Sequence, residues 1–195
     1  MPTNRDRSAA MRAKLIDAGR ALFAEKGFAD TSTPDIARAA GVTRGAMYHH
    51  FADKTDLMRA VVEQEAEVVA RDIHRSGQAT DDAHGALMAG AKAYFTAMQV
   101  PGRVRLLLLE GPSALGVAEM QRIDRETGGQ TLVDGLADAM PEHNTTALPL
   151  EELANVLSAA FDRAAMAIAD GADAAGYEDA IAMLLSWLTG GAPKR

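Results

Sequence analysis

The chain has 195 residues, of which 48% are hydrophobic and 24% are charged, a composition typical of a globular protein that can bury a core. It contains no cysteine, which excludes disulfides, thiolate metal sites and cysteine nucleophiles. The N-terminus lacks the apolar stretch of a signal peptide, and no apolar run approaches the roughly eighteen residues that span a membrane. We therefore expect a cytoplasmic protein with no membrane partner.

The net charge of −7 is unevenly distributed along the chain. Residues 1–60 carry 10 basic and 7 acidic side chains, whereas residues 61–195 carry 10 basic and 20 acidic ones. The first segment therefore has a charge of +3 and the second a charge of −10. Because nucleic acid is a polyanion, only the first segment is suited to bind it.

The first predicted helix begins at Ser8 and carries apolar residues at helical spacing until Gly27 stops it. We expect residues 1–7 to form a frayed arm. Arg5 and Arg7 within it either serve as a solubilising terminus or reach a DNA phosphate or minor groove.

Two short helices are predicted next, joined by a tight turn. Thr33 is a preferred N-cap, and Gly41 can adopt the left-handed conformation that ends a helix, so the first short helix is predicted over Pro34 to Ala40. Thr43 then caps a second helix that runs from Arg44 to about His50. Two short helices crossing at a tight turn are the layout of a DNA-binding helix-turn-helix.

The second short helix has two faces of different character. Met47 and Phe51 are four residues apart and share a face with Val42, so this face is predicted to pack against Ile36 and Ala37. The opposite face offers a guanidinium for a guanine edge, small residues that allow close approach, and donors for phosphate. The predicted DNA contacts, including helix-start positions, are Thr33, Thr43, Arg44, Gly45, Ala46, Tyr48, His49 and Lys54.

The stretch from Leu22 to Val61, LFAEKGFADTSTPDIARAAGVTRGAMYHHFADKTDLMRAV, resembles the DNA-binding domain of the TetR/AcrR family of transcriptional regulators. The resemblance rests on the G-F of a helix end, the I-A and A-G-V of the turn and the Y-H-H-F that follows, and it covers residues 8 to about 60. It implies a homodimer that binds a palindromic operator and leaves it when a small molecule enters the other domain.

The rest of the chain is predicted to be helical, so the fold class is all-α. We expect a helix-turn-helix domain over residues 1–53 and an effector-binding and dimerisation domain over residues 54–195. The second domain is entered by a long helix from Lys54 to about Ser76, which Asp53 is predicted to cap. Gly111-Pro112 is expected to break the leucine-rich helix that follows Pro101. Further helices are expected from Asp81 or Asp82, over Gly116–Arg125, after a Gly128-Gly129 bend, and over Leu150–Ala169 and Ala174–Thr189, with a polar loop over Pro141–Ala147.

Two surfaces are predicted in the second domain. An apolar, methionine-bearing pocket for a hydrophobic or aromatic effector, which ordinary core would also explain, is assigned to Met88, Tyr94, Phe95, Met98, Leu106, Leu109 and Phe161. The last two helices show more apolar width than one inner face requires, which indicates either a dimer bundle or alanine-rich surface helices. The residues assigned to the dimer interface are Val156, Ala160, Ala164, Leu184, Trp187 and Leu188.

The sequence therefore predicts a ligand-responsive DNA-binding regulator, most readily a repressor. The alternatives are a transcriptional activator and a helical protein-interaction module without a small-molecule effector. An enzyme is disfavoured because His84, His143 and the scattered carboxylates show neither ligand spacing nor a nucleophile beside a base. No cofactor or metal is expected, since the adjacent His49 and His50 point to different sides of a helix and have no third ligand nearby.

Overall fold

The computed structural model describes residues 3–141 and 149–190, and within those ranges the regular secondary structure is entirely helical. This confirms the all-α fold class. Most of the predicted loop over residues 141–147 lies outside the described residues. The helices are α1 (Asn4–Lys26), α2 (Thr33–Ala39), α3 (Arg44–His50), α4 (Lys54–Gly77), α5 (Ala83–Met98), a π-helical turn (Arg105–Glu110), α6 (Gly111–Leu115), α7 (Val117–Thr127), α8 (Gly129–Ala139), α9 (Leu150–Ala169) and α10 (Ala174–Leu188).

The chain divides into two compact units. The first unit contains residues 1–65 and 101–121, and the second contains residues 66–100 and 122–195. Two helices, α4 and α7, each begin in the first unit and end in the second. The predicted division of the chain into domains at residues 53 and 54 stays a prediction, and residues 101–121 group with the amino-terminal helices.

The start of α1 differs from the prediction of a frayed arm. Thr3 caps the helix: its side chain accepts a hydrogen bond from the Asp6 N–H at 3.2 Å, and the Asp6 carboxylate accepts one from the Thr3 N–H at 2.8 Å. This reciprocal pair is a capping box, which satisfies donors at the helix end. The prediction was wrong because it began the helix at Ser8 and missed the capping pair of Thr3 and Asp6 upstream.

The caps of the next helices follow the sequence with one exception. Ser32, not Thr33, caps α2 by accepting from the Asp35 N–H at 3.3 Å, so Thr33 is the first helical residue. Two neighbouring hydroxyl residues compete for this position, and the sequence alone does not separate them. The predicted caps of α3 and α4 are confirmed, because Thr43 accepts from the Ala46 N–H at 3.1 Å and Asp53 from the Asp56 N–H at 2.8 Å.

Gly111-Pro112 does not break the helix, contrary to the prediction. The π-helical turn Arg105–Glu110 continues directly into α6, and the Gly111 N–H donates to the carbonyl oxygen of Leu106, five residues earlier. A wider turn relieves the clash that a proline ring otherwise makes with the carbonyl of the preceding turn. Glycine is needed before the proline, since a Cβ at Gly111 would lie 2.8 Å from the Leu106 oxygen.

The core of the second unit lies between α5, α8, α9 and α10. The bounds of α9 match the prediction, and α10 ends one residue before the predicted Thr189, which forms its C-cap. Side chains from all four helices exclude water from one continuous cluster. Its buried members are Leu87, Phe95, Leu136, Met140, Ala154, Leu157, Phe161, Ala164, Ile181 and Leu185.

Candidate nucleic-acid interface

The turn between α2 and α3 is fixed by backbone hydrogen bonds and one glycine. The Gly41 N–H donates to the Arg38 carbonyl oxygen at 3.1 Å, and the Val42 N–H donates to that of Ala37 at 2.9 Å. Gly41 has a φ of +66°, in the left-handed region that residues with a Cβ rarely adopt. These hydrogen bonds and the glycine fix the conformation of the four residues, 40–43, that join α2 to α3.

The inner face of α3 packs as predicted. Met47 and Phe51 are buried, as are Ile36 and Ala37 on α2, while Val42 is half-buried. These side chains fix which side of α3 can face outward. Leu15 and Phe23 of α1 and Leu57 and Val61 of α4 are also buried in the first unit.

The outer face of α3 presents the side chains predicted to contact DNA. Arg44, Gly45, Tyr48 and His49 are exposed, and Ala46 is half-buried. A Cβ added at Gly45 would meet no atom within 4 Å, so the backbone is open to close approach at this point. The geometry therefore leaves a cation, a small residue and two ring donors on one solvent-facing surface.

Tyr48 connects α3 to the start of α2. Its hydroxyl lies 3.3 Å from the Thr33 hydroxyl, and the Arg44 guanidinium carbon lies 5.7 Å from the centre of its ring. The hydrogen bond with Thr33, followed by that with Arg44, lowers the pKa of Tyr48 below its ordinary value. The two helix starts thus hold the phenol in place beside the guanidinium.

Lys54 is engaged within the first unit. Its ammonium donates to the carbonyl oxygens of Phe28 at 2.6 Å, Thr31 at 2.9 Å and Ala29 at 3.4 Å, and it lies 4.2 Å from the centre of the Phe28 ring. These acceptors belong to the loop between α1 and α2, which the lysine therefore ties to the start of α4. The phosphate contact predicted for Lys54 stays a prediction.

The segment 101–121 holds the end of α1, a relationship that sequence reasoning missed. The Glu110 carboxylate accepts from the Phe28 N–H at 2.8 Å and from Arg105 at 3.1 Å. Arg105 also donates to the carbonyl oxygens of Ala24 at 3.2 Å and Glu25 at 2.9 Å. These bonds cap the last turn of α1. The only signal in the sequence is an arginine and a glutamate flanking four leucines, which does not identify a partner about eighty residues away.

A buried ion cluster also joins this segment to α1 and α4. The Glu65 side chain is 5% exposed and accepts from Arg20 and Arg103, each at 2.8 Å. Burial alone would raise the pKa of Glu65, but the hydrogen bonds from the two arginines outweigh it and lower the pKa. The carboxylate therefore stays ionised inside the first unit.

The seven residues predicted to line an effector pocket fall into two groups. In the second unit the rings of Tyr94, Phe95 and Phe161 lie with centres 5.2 to 5.6 Å apart, Met88 packs against this core, and Met98 is buried. Leu106 and Leu109 belong to the first unit, where Leu106 is fully buried and Leu109 is 54% exposed.

The aromatic group contains one buried polar pair. The Tyr94 hydroxyl donates to Asp162 at 2.7 Å. Burial raises the pKa of both side chains above their ordinary values, and for Tyr94 the adjacent carboxylate adds to the effect. This pair is the polar feature that an effector among the three rings would meet.

The residues predicted to form a dimer interface also divide. Val156 is 68% exposed, Trp187 is 60% exposed and Leu184 is exposed as well, whereas Ala160 and Leu188 are half-buried. Ala164 is 2% exposed and lies in the core of the second unit. The exposed members are large apolar side chains on the last two helices.

Residues 3–141 and 149–190 contain no helix with the length and apolar character needed to cross a bilayer. Over the same residues, histidine and carboxylate side chains nowhere form a group of three arranged to hold a metal ion.

Family models match both parts of the chain. Residues 15–61 match the model of bacterial regulatory proteins of the tetR family, and residues 84–191 match the model of the tetracyclin repressor-like C-terminal domain. Together these matches cover the helix-turn-helix and most of the second unit.

Curated relatives match over the amino-terminal part. The transcriptional regulator AcrR of Shigella flexneri is 48% identical over 52 residues, which are 27% of this chain and 24% of that protein. A transcriptional repressor of Mycobacterium tuberculosis is 36% identical over 72 residues, 37% of this chain and 38% of that protein. The matches thus span about a quarter to two fifths of these relatives.

Solved structures extend the likeness to nearly the whole chain. A TetR-family transcriptional regulator from Pectobacterium atrosepticum is 27% identical, with 95% of each chain covered and a TM-score of 0.69. The fatty acid degradation regulator FadR from Bacillus halodurans has the same fold at 17% identity, covering 89% of this chain and 93% of that one with a TM-score of 0.73.

Proposed function

The chain belongs to the TetR family of transcriptional regulators, and we propose that it is a repressor that binds a palindromic operator as a homodimer and leaves it when a small effector binds. The observation that carries the proposal is the outer face of α3, where Arg44, Gly45, Tyr48 and His49 stay exposed while the opposite face is buried. A helix fixed in this way can enter the major groove without disturbing the core.

Each exposed side chain has a role in this proposal. Arg44 takes a guanine edge with two hydrogen bonds, which discriminates that base by about 1 to 3 kcal/mol. Gly45 and Ala46 let the α3 backbone approach the bases. The hydroxyls and the imidazole of Thr33, Thr43, Tyr48 and His49 donate to phosphates, which fix the register on the duplex but carry no sequence information.

The dimer is formed by the last two helices in this proposal. Val156, Leu184 and Trp187 expose apolar surface that costs free energy in water, and a second copy related by a twofold axis would cover it. Such a pair of subunits presents two α3 helices to half-sites about 34 Å apart on one side of the duplex.

Effector binding is assigned to the second unit. The cluster of Tyr94, Phe95 and Phe161, with Asp162 hydrogen-bonded to the phenol, supports a hydrophobic or aromatic effector. The effector acts by binding the DNA-free conformation better than the DNA-bound one. A ligand-bound dimer whose α3 helices kept the operator spacing would contradict this mechanism.

In this proposal, helix α4 transmits the conformational change caused by the effector to the helix-turn-helix. Helix α4 begins in the first unit and ends in the second, so a displacement of its second half moves a helix whose start is tied by Lys54 to the loop before α2. The segment 101–121 gives a second route, because Arg105 and Glu110 bond to the end of α1.

The test of DNA binding uses the purified full chain and duplexes from the region upstream of its own gene, with gel shift and fluorescence anisotropy as readouts. We expect salt-sensitive binding to a palindromic segment that exceeds binding to a scrambled duplex by at least about a thousandfold. Arg44→Ala should remove this preference for the operator. Arg163→Ala, which removes an exposed arginine of α9, is the control for general loss of positive charge. Equal affinity for operator and scrambled duplexes would contradict the proposal.

A further inference from the structure

A concave groove in the second unit has a lining that differs in charge from the rest of that unit. Its volume is about 410 Å³, which is within the range of sites for small molecules. It lies between the second half of α4 and the junction of α7 and α8. The lining residues are Ala70, Arg71, His74, Arg75, Gln78, Thr127 and Thr131.

Residues from α4 form one wall of the groove. Arg71, His74, Arg75 and Gln78 are spaced by three, four and seven residues, which places them on one face of the helix. The Gln78 amide and the Nε2 atom of His74 are 2.9 Å apart, so these two side chains already hold each other in position.

The lining is cationic inside an acidic segment. Residues 61–195 have a charge of −10, yet the groove is lined by two arginines and a histidine and by no carboxylate. Glu67 and Asp72 lie beside these arginines but do not line the groove, so an anion that enters it meets the guanidinium groups first. The opposite wall supplies the hydroxyls of Thr127 and Thr131, and α4 also contributes the methyl of Ala70.

The two guanidinium groups are only weakly engaged by the protein. Arg71 lies 3.6 Å from Glu67, and Arg75 lies 3.7 Å from Asp72, with both arginine side chains more than half exposed. These distances exceed those of good charge-assisted hydrogen bonds, and exposed pairs of this kind contribute little to stability. A ligand can therefore bind the guanidinium groups of Arg71 and Arg75 without breaking a strong contact.

We propose that this groove binds a small organic anion whose single carboxylate or phosphate is held by Arg71 and Arg75. The planar guanidinium presents paired donors that match the oxygens of either anion, and the body of the ligand lies over Ala70 and the threonine methyls. None of the seven residues predicted to line the effector pocket belongs to this groove.

The proposal adds a second ligand site, for an anion, to the proposed function, on which it rests only for its regulatory consequence. The anion would join α4 to α7 and α8 within the second unit. Because α4 begins beside the helix-turn-helix, an anion that favours one position of its second half biases the position of its start.

The test is a titration of the DNA-free full chain with benzoate and phenyl phosphate as anionic probes and benzamide as the neutral control. Heat of binding and the arginine side-chain Nε–Hε signals are followed together. We expect at least one anion to bind saturably at millimolar concentration and to shift the signals of Arg71 and Arg75, while that of Arg163 stays in place and benzamide gives no saturable response.

The variants separate the groove from general charge effects. Arg71→Gln/Arg75→Gln is expected to weaken binding of the anion at least tenfold, and Arg163→Gln to leave it unchanged. The proposal is overturned by equal binding of anion and benzamide, by unchanged binding in the double variant, or by the absence of saturable binding of both anions. Each readout is taken without DNA, so a failure here is distinguishable from a failure to bind an operator.

Discussion

The Lys54 ammonium lies 2.6 Å from the carbonyl oxygen of Phe28 and 4.2 Å from the centre of the same residue's ring. With Thr31 accepting at 2.9 Å, the lysine holds the loop that leads into α2. Lys54→Met should therefore lower the free energy of unfolding by about 2 kcal/mol, because the partly buried carbonyls of Phe28 and Thr31 lose a charged donor. Chemical denaturation measures this loss, and Lys14→Met, at an exposed position of α1, is the matched control.

The same variant decides whether Lys54 also contacts a phosphate. If its donors serve the loop alone, the slope of log affinity against log salt concentration should match that of the wild type. A slope smaller by about 0.9 would instead support the predicted phosphate contact.

Two glycines of the helix-turn-helix should respond in opposite ways to the same substitution. A Cβ would meet no atom within 4 Å at either Gly41 or Gly45, but only Gly41 has a positive φ, of +66°. Gly41→Ala should destabilise the protein by about 1 to 2 kcal/mol because of backbone strain. Gly45→Ala should stabilise α3 by up to about 1 kcal/mol.

A large side chain at Gly45 should weaken DNA binding without destabilising the fold. Gly45→Leu should fold normally yet bind the operator at least tenfold more weakly, because the side chain occupies the space through which the α3 backbone approaches the bases. Thermal unfolding and anisotropy are measured on the same samples. A Gly45→Leu protein with undiminished affinity would show that this part of α3 does not enter the major groove of DNA.

Glu65 should make the stability depend on acidic pH. Its pKa is lowered in the folded state, so the stability that it contributes is complete above the ordinary glutamate pKa of about 4.3 and is lost as the pH falls through the folded pKa. Glu65→Gln should cost about 3 kcal/mol at pH 7, since a buried ion cluster loses its carboxylate. The difference from wild type should shrink as the pH falls from 5 toward 3, as urea unfolding would show.

The control for this experiment is Glu67→Gln, on the same helix. The Glu67 side chain is 58% exposed and lies 3.6 Å from Arg71, so its loss should change stability by less than about 0.5 kcal/mol. A penalty for Glu65→Gln that stayed constant between pH 7 and pH 3 would contradict the role assigned to the ionised carboxylate.

Trp187 should be required for dimerisation. Trp187→Glu places a charge on the exposed apolar surface of α10 and should convert the dimer to a monomer in sedimentation equilibrium, with a concurrent loss of operator affinity. Val117→Glu is the matched control, because Val117 is 68% exposed and Trp187 is 60% exposed, but Val117 lies on α7. A Trp187→Glu protein that sediments as a dimer would place the interface elsewhere.

The sequence predicts helix caps, the turn and the buried face of α3 well, because each depends on residues that are close together in the chain. Thr43 and Asp53 cap helices, Gly41 makes the turn, and the period of Met47 and Phe51 identifies the inner face of α3. Each of these follows from contacts within about four residues. The outward position of Arg44 follows in turn, because the opposite face is buried.

Features that depend on distant partners were not predictable from the sequence. The bond from the Phe28 N–H to Glu110 joins positions 82 residues apart, and no local pattern indicates it. Ala164 was assigned to the dimer interface because α9 is apolar over a wide arc, and only packing shows that this residue faces its own core. The groove around Arg71 was missed for the same reason, since two helices are needed to form it.

We propose that the exposed face of α3 reads bases through Arg44, and a comparison of affinities across operator variants tests this role. After selection of the operator from random duplexes, anisotropy gives the Kd of wild type and Arg44→Ala for the operator and for duplexes in which each guanine is replaced in turn. We predict that Arg44→Ala loses about 10- to 100-fold in operator affinity and no longer discriminates at one guanine per half-site, while its affinity for a scrambled duplex changes little. Equal weakening on every duplex, or an unchanged preference at each guanine, would show that Arg44 does not read a base.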